Sequence, residues 1–198
     1  MYRHLTFPQN TSRDMTQFYT ENNLFTPEDI LWVENNIISV PTETGTVERG
    51  DHMEDFSIRK SSIKWLRYDH FPQFDWVYNR IQQAIERAND LWGFNLYSCP
   101  DHIQHTEYQS GGGHYDWHMD IGAGALSHRK VSVTVQLSDP DSYDGGDLEF
   151  LRSPQPEVAP RNLGQVVIFP SYMMHRVTSI TRGTRKSLVL WVGGEHYK

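Results

Sequence analysis

Val131-Ser-Val-Thr-Val-Gln-Leu137 alternates apolar and polar side chains with a period of two. Successive side chains of an extended chain point to opposite faces, so this pattern reads as a strand with one face turned to a core. Two more strand-like runs follow it, Val166-Val-Ile-Phe169 and Ser187-Leu-Val-Leu-Trp-Val192. Upstream the period changes. Thr26-Pro27-Glu28-Asp29 supplies an N-cap, a first-turn proline and first-turn acids ahead of Ile30, Val33 and Ile37 at helical spacing. Phe74, Val77, Ile81, Ala84, Ile85, Ala88 and Leu91 recur every three or four residues, which marks one long amphipathic helix lying on a sheet. Helices first and short strands later predict an α+β fold: a jelly roll, or double-stranded β-helix, supported by N-terminal helices.

The chain has 198 residues, enough for one domain spanning 1–198, and its 37% hydrophobic and 13% aromatic content can close a substantial core. Eighteen basic against 25 acidic residues give a net charge of −7, so no basic stripe invites a nucleic-acid backbone, and cationic or neutral partners are favoured at long range. The single Cys99 has no internal disulfide partner, and Met1-Tyr-Arg-His-Leu-Thr6 lacks the apolar run of a signal peptide or membrane span. These features predict a soluble, cytoplasmic protein with no membrane partner. Residues 41–55 show no period and few apolar side chains, which predicts a mobile loop.

The chemistry concentrates in Tyr108-Gln-Ser-Gly-Gly-Gly-His-Tyr-Asp-Trp-His118-Met-Asp120, where two H-x-D pairs overlap: His114 with Asp116, and His118 with Asp120. On a strand, residues two apart share a face, so either pair reaches one ion. His114 follows three glycines, a run too flexible to hold a metal donor in place, whereas His118 lies deeper in the strand. A third donor must come from a distant strand, and His175 stands just beyond the Val166–Phe169 run. Two imidazoles and one carboxylate suit an open-faced ferrous site, because three coordination positions stay free. Arg185 leads into the last strand, where a buried guanidinium would present two parallel donors to the remote end of a dicarboxylate such as 2-oxoglutarate. Arg182, ahead of Gly183-Thr184, is its rival. Arg185, Ser187, Val189 and Trp191 share one strand face, a pocket wall with a cation, a hydroxyl and an aromatic surface. Gly145-Gly146 reads as a tight inter-strand turn.

The order H-x-D…H…R, the lead-in Tyr-x-x-Gly-Gly-Gly-x-Tyr-x-x-His-x-Asp, the run Leu137-Ser-Asp-Pro-Asp-Ser-Tyr-Asp-Gly-Gly-Asp-Leu148 and the run His175-Arg-Val-Thr-Ser-Ile-Thr-Arg-Gly-Thr-Arg185 together resemble the Fe(II)/2-oxoglutarate-dependent dioxygenases. More narrowly, they resemble the prolyl 4-hydroxylase-like members, both the bacterial PKHD-type hydroxylases and the hypoxia-sensing prolyl hydroxylases. The resemblance covers residues 58–192, beginning with Ile58-Arg-Lys-Ser-Ser-Ile-Lys-Trp-Leu66. It implies iron ligation by His118, Asp120 and His175, and 2-oxoglutarate chelating that iron with its far carboxylate on Arg185. It further implies that Tyr108 contacts that carboxylate, that Tyr115 lines the same cavity and that Trp191 stands beside the co-substrate. O2 is then the second co-substrate and ascorbate an accessory reductant. The implied reaction hydroxylates an aliphatic C–H, that of a prolyl residue in a peptide or protein, with release of succinate and CO2.

Residues 41–55 fall where hypoxia-type hydroxylases carry a substrate-covering loop, and the same role is implied here. Ile121-Gly-Ala-Gly-Ala-Leu-Ser-His-Arg129 departs from the family pattern, and Arg129 reads as a solvated loop arginine. Two other classes stay open. One is an oxygenase of a free amino acid or small metabolite, which needs a closed pocket. The other is a metal-binding jelly roll without turnover, against which the intact donors and Arg185 weigh. Asp120 speaks against halogenation, which needs that ligand position vacated.

Overall fold

The computed structural model describes residues 13–49, 51–99 and 101–196. Helix α1, Pro27–Asn36, starts as its sequence dictates: the Thr26 hydroxyl accepts from the Asp29 N–H at 3.2 Å while the Asp29 carboxylate accepts from the Thr26 N–H at 2.9 Å. Helix α2, Asp75–Trp92, buries Val77, Ile81, Ala84, Ile85, Ala88 and Trp92 along one face and stops at Gly93, whose φ of 65° is left-handed. Leu91 is only partly buried, and Trp92 takes the end of the stripe instead.

All but two of the strands among the described residues form two antiparallel sheets, the jelly roll expected. The larger runs in the order Tyr19–Glu21, Val166–Pro170, Arg129–Gln136, Thr184–Gly194, Ile103–Gln109, Ser62–Leu66 and Glu43–Thr44, with Leu96–Ser98 paired beside Thr184–Gly194. The smaller runs Glu157–Val158, Leu148–Phe150, His175–Val177, His114–His118 and Arg59–Lys60. Strands remote in sequence thus become neighbours, and His175 pairs directly with His118.

The alternation that predicts these strands has an unusual meaning. Val131, Val133 and Val135, with Leu188, Leu190 and Val192, pack under α1 and α2 in one core. The opposite face of these strands and of the adjoining Ile103–Gln109 is polar yet buried: Ser132 and Ser187 are 1% exposed, Gln104 and Gln136 3%, and Thr106 0%. These side chains line the interior of the roll, where the smaller sheet covers them. Buried polar groups need partners, so a polar interior implies a site. A second apolar cluster, including Phe150, Phe169, Tyr143 and Ile180, closes the space around that interior.

Residues 41–55 depart from expectation. Glu43–Thr44 adds to the edge of the larger sheet, and Val47–Arg49 pairs antiparallel with Asp51–Met53. Strands of two or three residues are too short for a periodicity to register in sequence. The reading of Met1–Thr6 lies outside the described residues. No helix among the described residues is long and apolar enough to cross a membrane.

Candidate metal and co-substrate site

The smaller sheet brings His118 and His175 side by side, and Asp120 follows at the end of the His118 strand. One ligand atom from each of the three lies within 4.8 Å of the others. Both histidine Nε2 atoms stand 3.6 Å from a different Asp120 carboxylate oxygen. That is too far for a good hydrogen bond and suits donors held about 2.1 Å from one ion. His118 Nδ1 donates to the Asp116 carbonyl at 2.7 Å and His175 Nδ1 to the Met173 carbonyl at 2.9 Å. A carbonyl only accepts, so each Nδ1 carries the proton and each Nε2 keeps its lone pair for a metal. The donor set therefore fits a ferrous ion.

Asp120 is placed differently from the strand geometry expected of it. Ladder pairing ends at His118, and the Asp120 N–H instead donates to the Ser171 carbonyl at 2.9 Å. Ser132 bonds the Asp120 carboxylate and is itself fixed by Ser171 Oγ at 2.9 Å. Burial opposes ionisation of Asp120, but His175, His118 and the Ser132 hydroxyl outweigh it and hold the carboxyl below its ordinary value. Burial, aided by His175, pushes His118 down to about 3. Tyr115 stacks on the His118 ring at 3.5 Å, and Phe169 meets His175 edge-on at 4.7 Å, so aromatic contacts fix both imidazole planes.

His114 takes no part. Its ring bonds the carbonyls of Gly112 and Ser57, and Asp116 is exposed. The overlapping H-x-D pairs are thereby told apart.

From the triad a cavity runs inward between the sheets, lined by Tyr108, Tyr115, Arg185, Ser187, Val189 and Trp191. The whole predicted strand face is present. Arg185 is 3% exposed, faces Tyr108 across the ladder with its Cζ 5.8 Å from that ring, and belongs to none of the ion pairs among the described residues. Ser187 Oγ and Trp191 Nε1 are buried without a hydrogen-bond partner. A buried cation and two orphaned donors facing one cavity fit an anionic, oxygen-rich ligand such as 2-oxoglutarate. Arg182 is no rival: it lies on the surface in a two-armed pair with Asp144. Lys186 points the other way, to Glu34 on α1.

Gly146 does more than turn the chain. At φ 67°, an added Cβ would lie 2.3 Å from Ile180 Cδ1 and 3.1 Å from Arg185 Cδ, so its bare backbone makes room for the guanidinium stem.

Outside the triad a wider cleft opens, with Val47, Ile58, Trp65, Met119 and Leu126 on its walls. Arg129, read from sequence as a solvated loop residue, is instead packed over Trp191 at 4.2 Å, bonded to Asp101 at 2.8 and 3.0 Å and to the Asp120 carbonyl at 3.3 Å. The short helix Gly124–His128 delivers it there. Arg59, Gln104, Ser132 and Ser171 are site residues that sequence reasoning missed. Period two does place Gln104 and Ser132 on inward faces, but nothing in the spacing distinguishes Arg59 in its two-residue strand.

Residues 103–193 match the family model of the 2OG-Fe(II) oxygenase superfamily. A PKHD-type hydroxylase of Teredinibacter turnerae is 38% identical over 90 residues, 43% of this chain and 39% of that protein, so the match spans about two fifths of the relative's length. Among solved structures, a Trichoplax adhaerens prolyl hydroxylase in complex with a hypoxia inducible factor peptide fragment superposes with a TM-score of 0.75 at 19% identity, over 90% of this chain and 84% of that one. A Pseudomonas putida prolyl-4-hydroxylase gives a TM-score of 0.69 at 18% identity, covering 90% and 92%. The matched segment holds the triad, Tyr108 and Arg185, and over 90% of the chain the fold is similar to that of these two prolyl hydroxylases.

Proposed function

We propose that this protein is an Fe(II)- and 2-oxoglutarate-dependent dioxygenase that hydroxylates an aliphatic C–H, that of a prolyl residue in a peptide or protein substrate, within a single oxygenase domain. One observation carries the reading: a largely buried cluster of two histidine Nε2 atoms and a carboxylate shares its cavity with a buried arginine that forms no ion pair among the described residues. His118, Asp120 and His175 would hold the iron. Arg185 would grip the far carboxylate of 2-oxoglutarate, with Tyr108 beside it, Tyr115 on the cavity wall and Trp191 at the boundary with the outer cleft. When bound, iron with 2-oxoglutarate and O2 supplies the oxidising chemistry, giving succinate and CO2 while one oxygen atom enters the substrate.

The chain's own residues position and exclude. The carbonyls of Asp116 and Met173 keep Nε2 of each histidine turned inward, and Ser132 and Ser171 hold Asp120. Phe169, Phe150 and Tyr115 shield the donors from water. The outer cleft is open to the surface, with Val47, Ile58, Trp65, Met119 and Leu126 on its walls and the Val47–Arg49/Asp51–Met53 hairpin next to it, which supports a polypeptide substrate over a free metabolite in a closed pocket. Ferrous chemistry and the unpaired Cys99 suit a reducing compartment, so a cytoplasmic setting is part of the reading. Anaerobic titration with Fe(II) and 2-oxoglutarate tests it: a visible charge-transfer band reports the chelate, and O2-dependent succinate reports turnover. Absence of both overturns it.

A further inference from the structure

Arg59 is only 6% exposed. Of its five N–H donors, Nε is accepted by Ser61 Oγ at 2.9 Å, one on Nη1 by the Thr46 carbonyl at 3.2 Å and one on Nη2 by Gln104 Oε1 at 2.7 Å. All three acceptors are uncharged. Among the described residues no carboxylate forms an ion pair with it, whereas Arg129 at the same mouth is neutralised by Asp101. A guanidinium withdrawn from water without an anion is costly, on the order of several kcal/mol. Arg185 shares this condition, and 2-oxoglutarate accounts for it. Nothing yet accounts for Arg59.

Its position is telling. Arg59 lines both the inner cavity and the outer cleft. Its Cζ lies 4.8 Å from the centre of the Tyr115 ring, which stacks on His118 at 3.5 Å. In the proposed complex the charges of Fe(II), Asp120, 2-oxoglutarate and Arg185 cancel, which leaves Arg59 as the surplus cation one ring stack from the metal donors.

We infer that Arg59 is an anion subsite for the substrate: the oxidised molecule carries a carboxylate on the target residue or its neighbour, and one free N–H on each terminal nitrogen of Arg59 receives it. The apolar walls at Val47, Ile58, Trp65 and Met119 take the remainder of the molecule. The chain's net charge of −7 repels anions at long range, so capture depends on this short-range contact. This inference rests on the oxygenase reading of the site.

The test uses full-length protein loaded with Mn(II) and 2-oxoglutarate without oxygen. The probes are two isosteric pairs, acetyl-Pro-Glu-amide with acetyl-Pro-Gln-amide and N-acetylproline with its amide. Binding is read from tryptophan fluorescence, since Trp65 and Trp191 line the cleft. In at least one pair the carboxylate member is expected to bind about tenfold or more tightly than its partner. Arg59→Gln should shrink that preference to within about twofold, and Arg59→Lys should keep part of it. The inference is overturned if wild type shows no preference in either pair, including by binding neither member, or if Arg59→Gln leaves the preference intact. It is also overturned if Arg59→Gln weakens 2-oxoglutarate as much as the probe, since the anion would then belong to the co-substrate. Should Arg59→Gln unfold, the wild-type ratio and Arg59→Lys decide. Failure of the oxygenase reading shows separately, as iron-loaded enzyme that forms no succinate in air; succinate formation without a carboxylate preference overturns the subsite alone.

Discussion

Arg185 and Tyr108 are direct partners across the central antiparallel ladder, and the guanidinium carbon stands 5.8 Å from the tyrosine ring centre. The pairing fixes a cation and a phenol at the inner end of the cavity before any ligand arrives. Arg185→Ala removes both parallel donors to a carboxylate. The loss should be about 3 kcal/mol, so the 2-oxoglutarate requirement should rise about a hundredfold while Mn(II) affinity stays within about twofold. Titrations of co-substrate and metal on the same sample check this, and an unchanged 2-oxoglutarate requirement would remove Arg185 from the clamp.

Asp120→Ala and His175→Ala each take away a donor from a set of three. In the wild type, Mn(II) at about 100 times its dissociation constant should add about 2.7 kcal/mol to the unfolding free energy. Neither variant should gain measurably at that concentration. Urea melts with and without metal read the difference, and equal stabilisation of all three proteins would mean that the ion binds elsewhere.

Gly146 and Gly145 separate a structural role from a local one. Gly146→Ala puts a methyl 3.1 Å from Arg185 Cδ, so it should raise the 2-oxoglutarate requirement about tenfold in addition to costing about 1–2 kcal/mol of stability. Gly145→Ala places its methyl 2.0 Å from the Ser179 carbonyl, and the atoms it meets first belong to Ser179 and Ile180 and not to Arg185. It should lose stability at least as heavily, with co-substrate affinity per folded molecule unchanged. Identical binding defects in the two variants would show that the effect on Arg185 is not local.

Glu34 ties α1 to the larger sheet through His105, at 3.0 Å, and Lys186. Burial alone would raise its pKa, but bonds from His105 and Lys186 outweigh this and lower it below 4.5. A carboxyl depressed on folding contributes stability that is fully present above its unfolded value and is lost as pH falls through the folded one. Glu34→Gln should therefore be less stable than wild type at neutral pH, and the gap should narrow as the solution is made acidic and the folded-state carboxyl is protonated. Denaturant midpoints at neutral and acidic pH measure it; a gap that widens in acid would contradict the assignment.

The fold was legible where periodicity is long enough to count. Thr26-Pro27-Glu28-Asp29 and the Phe74 to Leu91 stripe mark both helices, and Val131–Leu137 marks a central strand. Alternation fixes which residues share a face, so Arg185, Ser187, Val189 and Trp191 group together from their spacing alone. It does not say what covers that face. The polar side of Val131–Leu137 would suit solvent equally well, and only the second sheet makes it an interior. Asp120, Arg129 and Arg59 show the other limit: each is placed by hydrogen bonds to residues far along the chain, Ser171, Asp101 and Gln104 respectively, and no local pattern encodes such partners.

The polar interior and the apolar core are opposite faces of the same strands, while the outer cleft is walled by the Val47 hairpin and the Gly124–His128 helix. Arg59, Tyr115 and Trp191 line both spaces, so the inner strands reach the cleft, and the hairpin and short helix add a separable rim. Altering the inner face disturbs strands that also anchor α1 and α2, which ties the chemistry to the ability to fold. The rim is peripheral and tolerant of exchange. Exchanging the hairpin or the short helix for that of another scaffold of this architecture should thus reshape the rim of the cleft while leaving His118, Asp120, His175 and Arg185 in place.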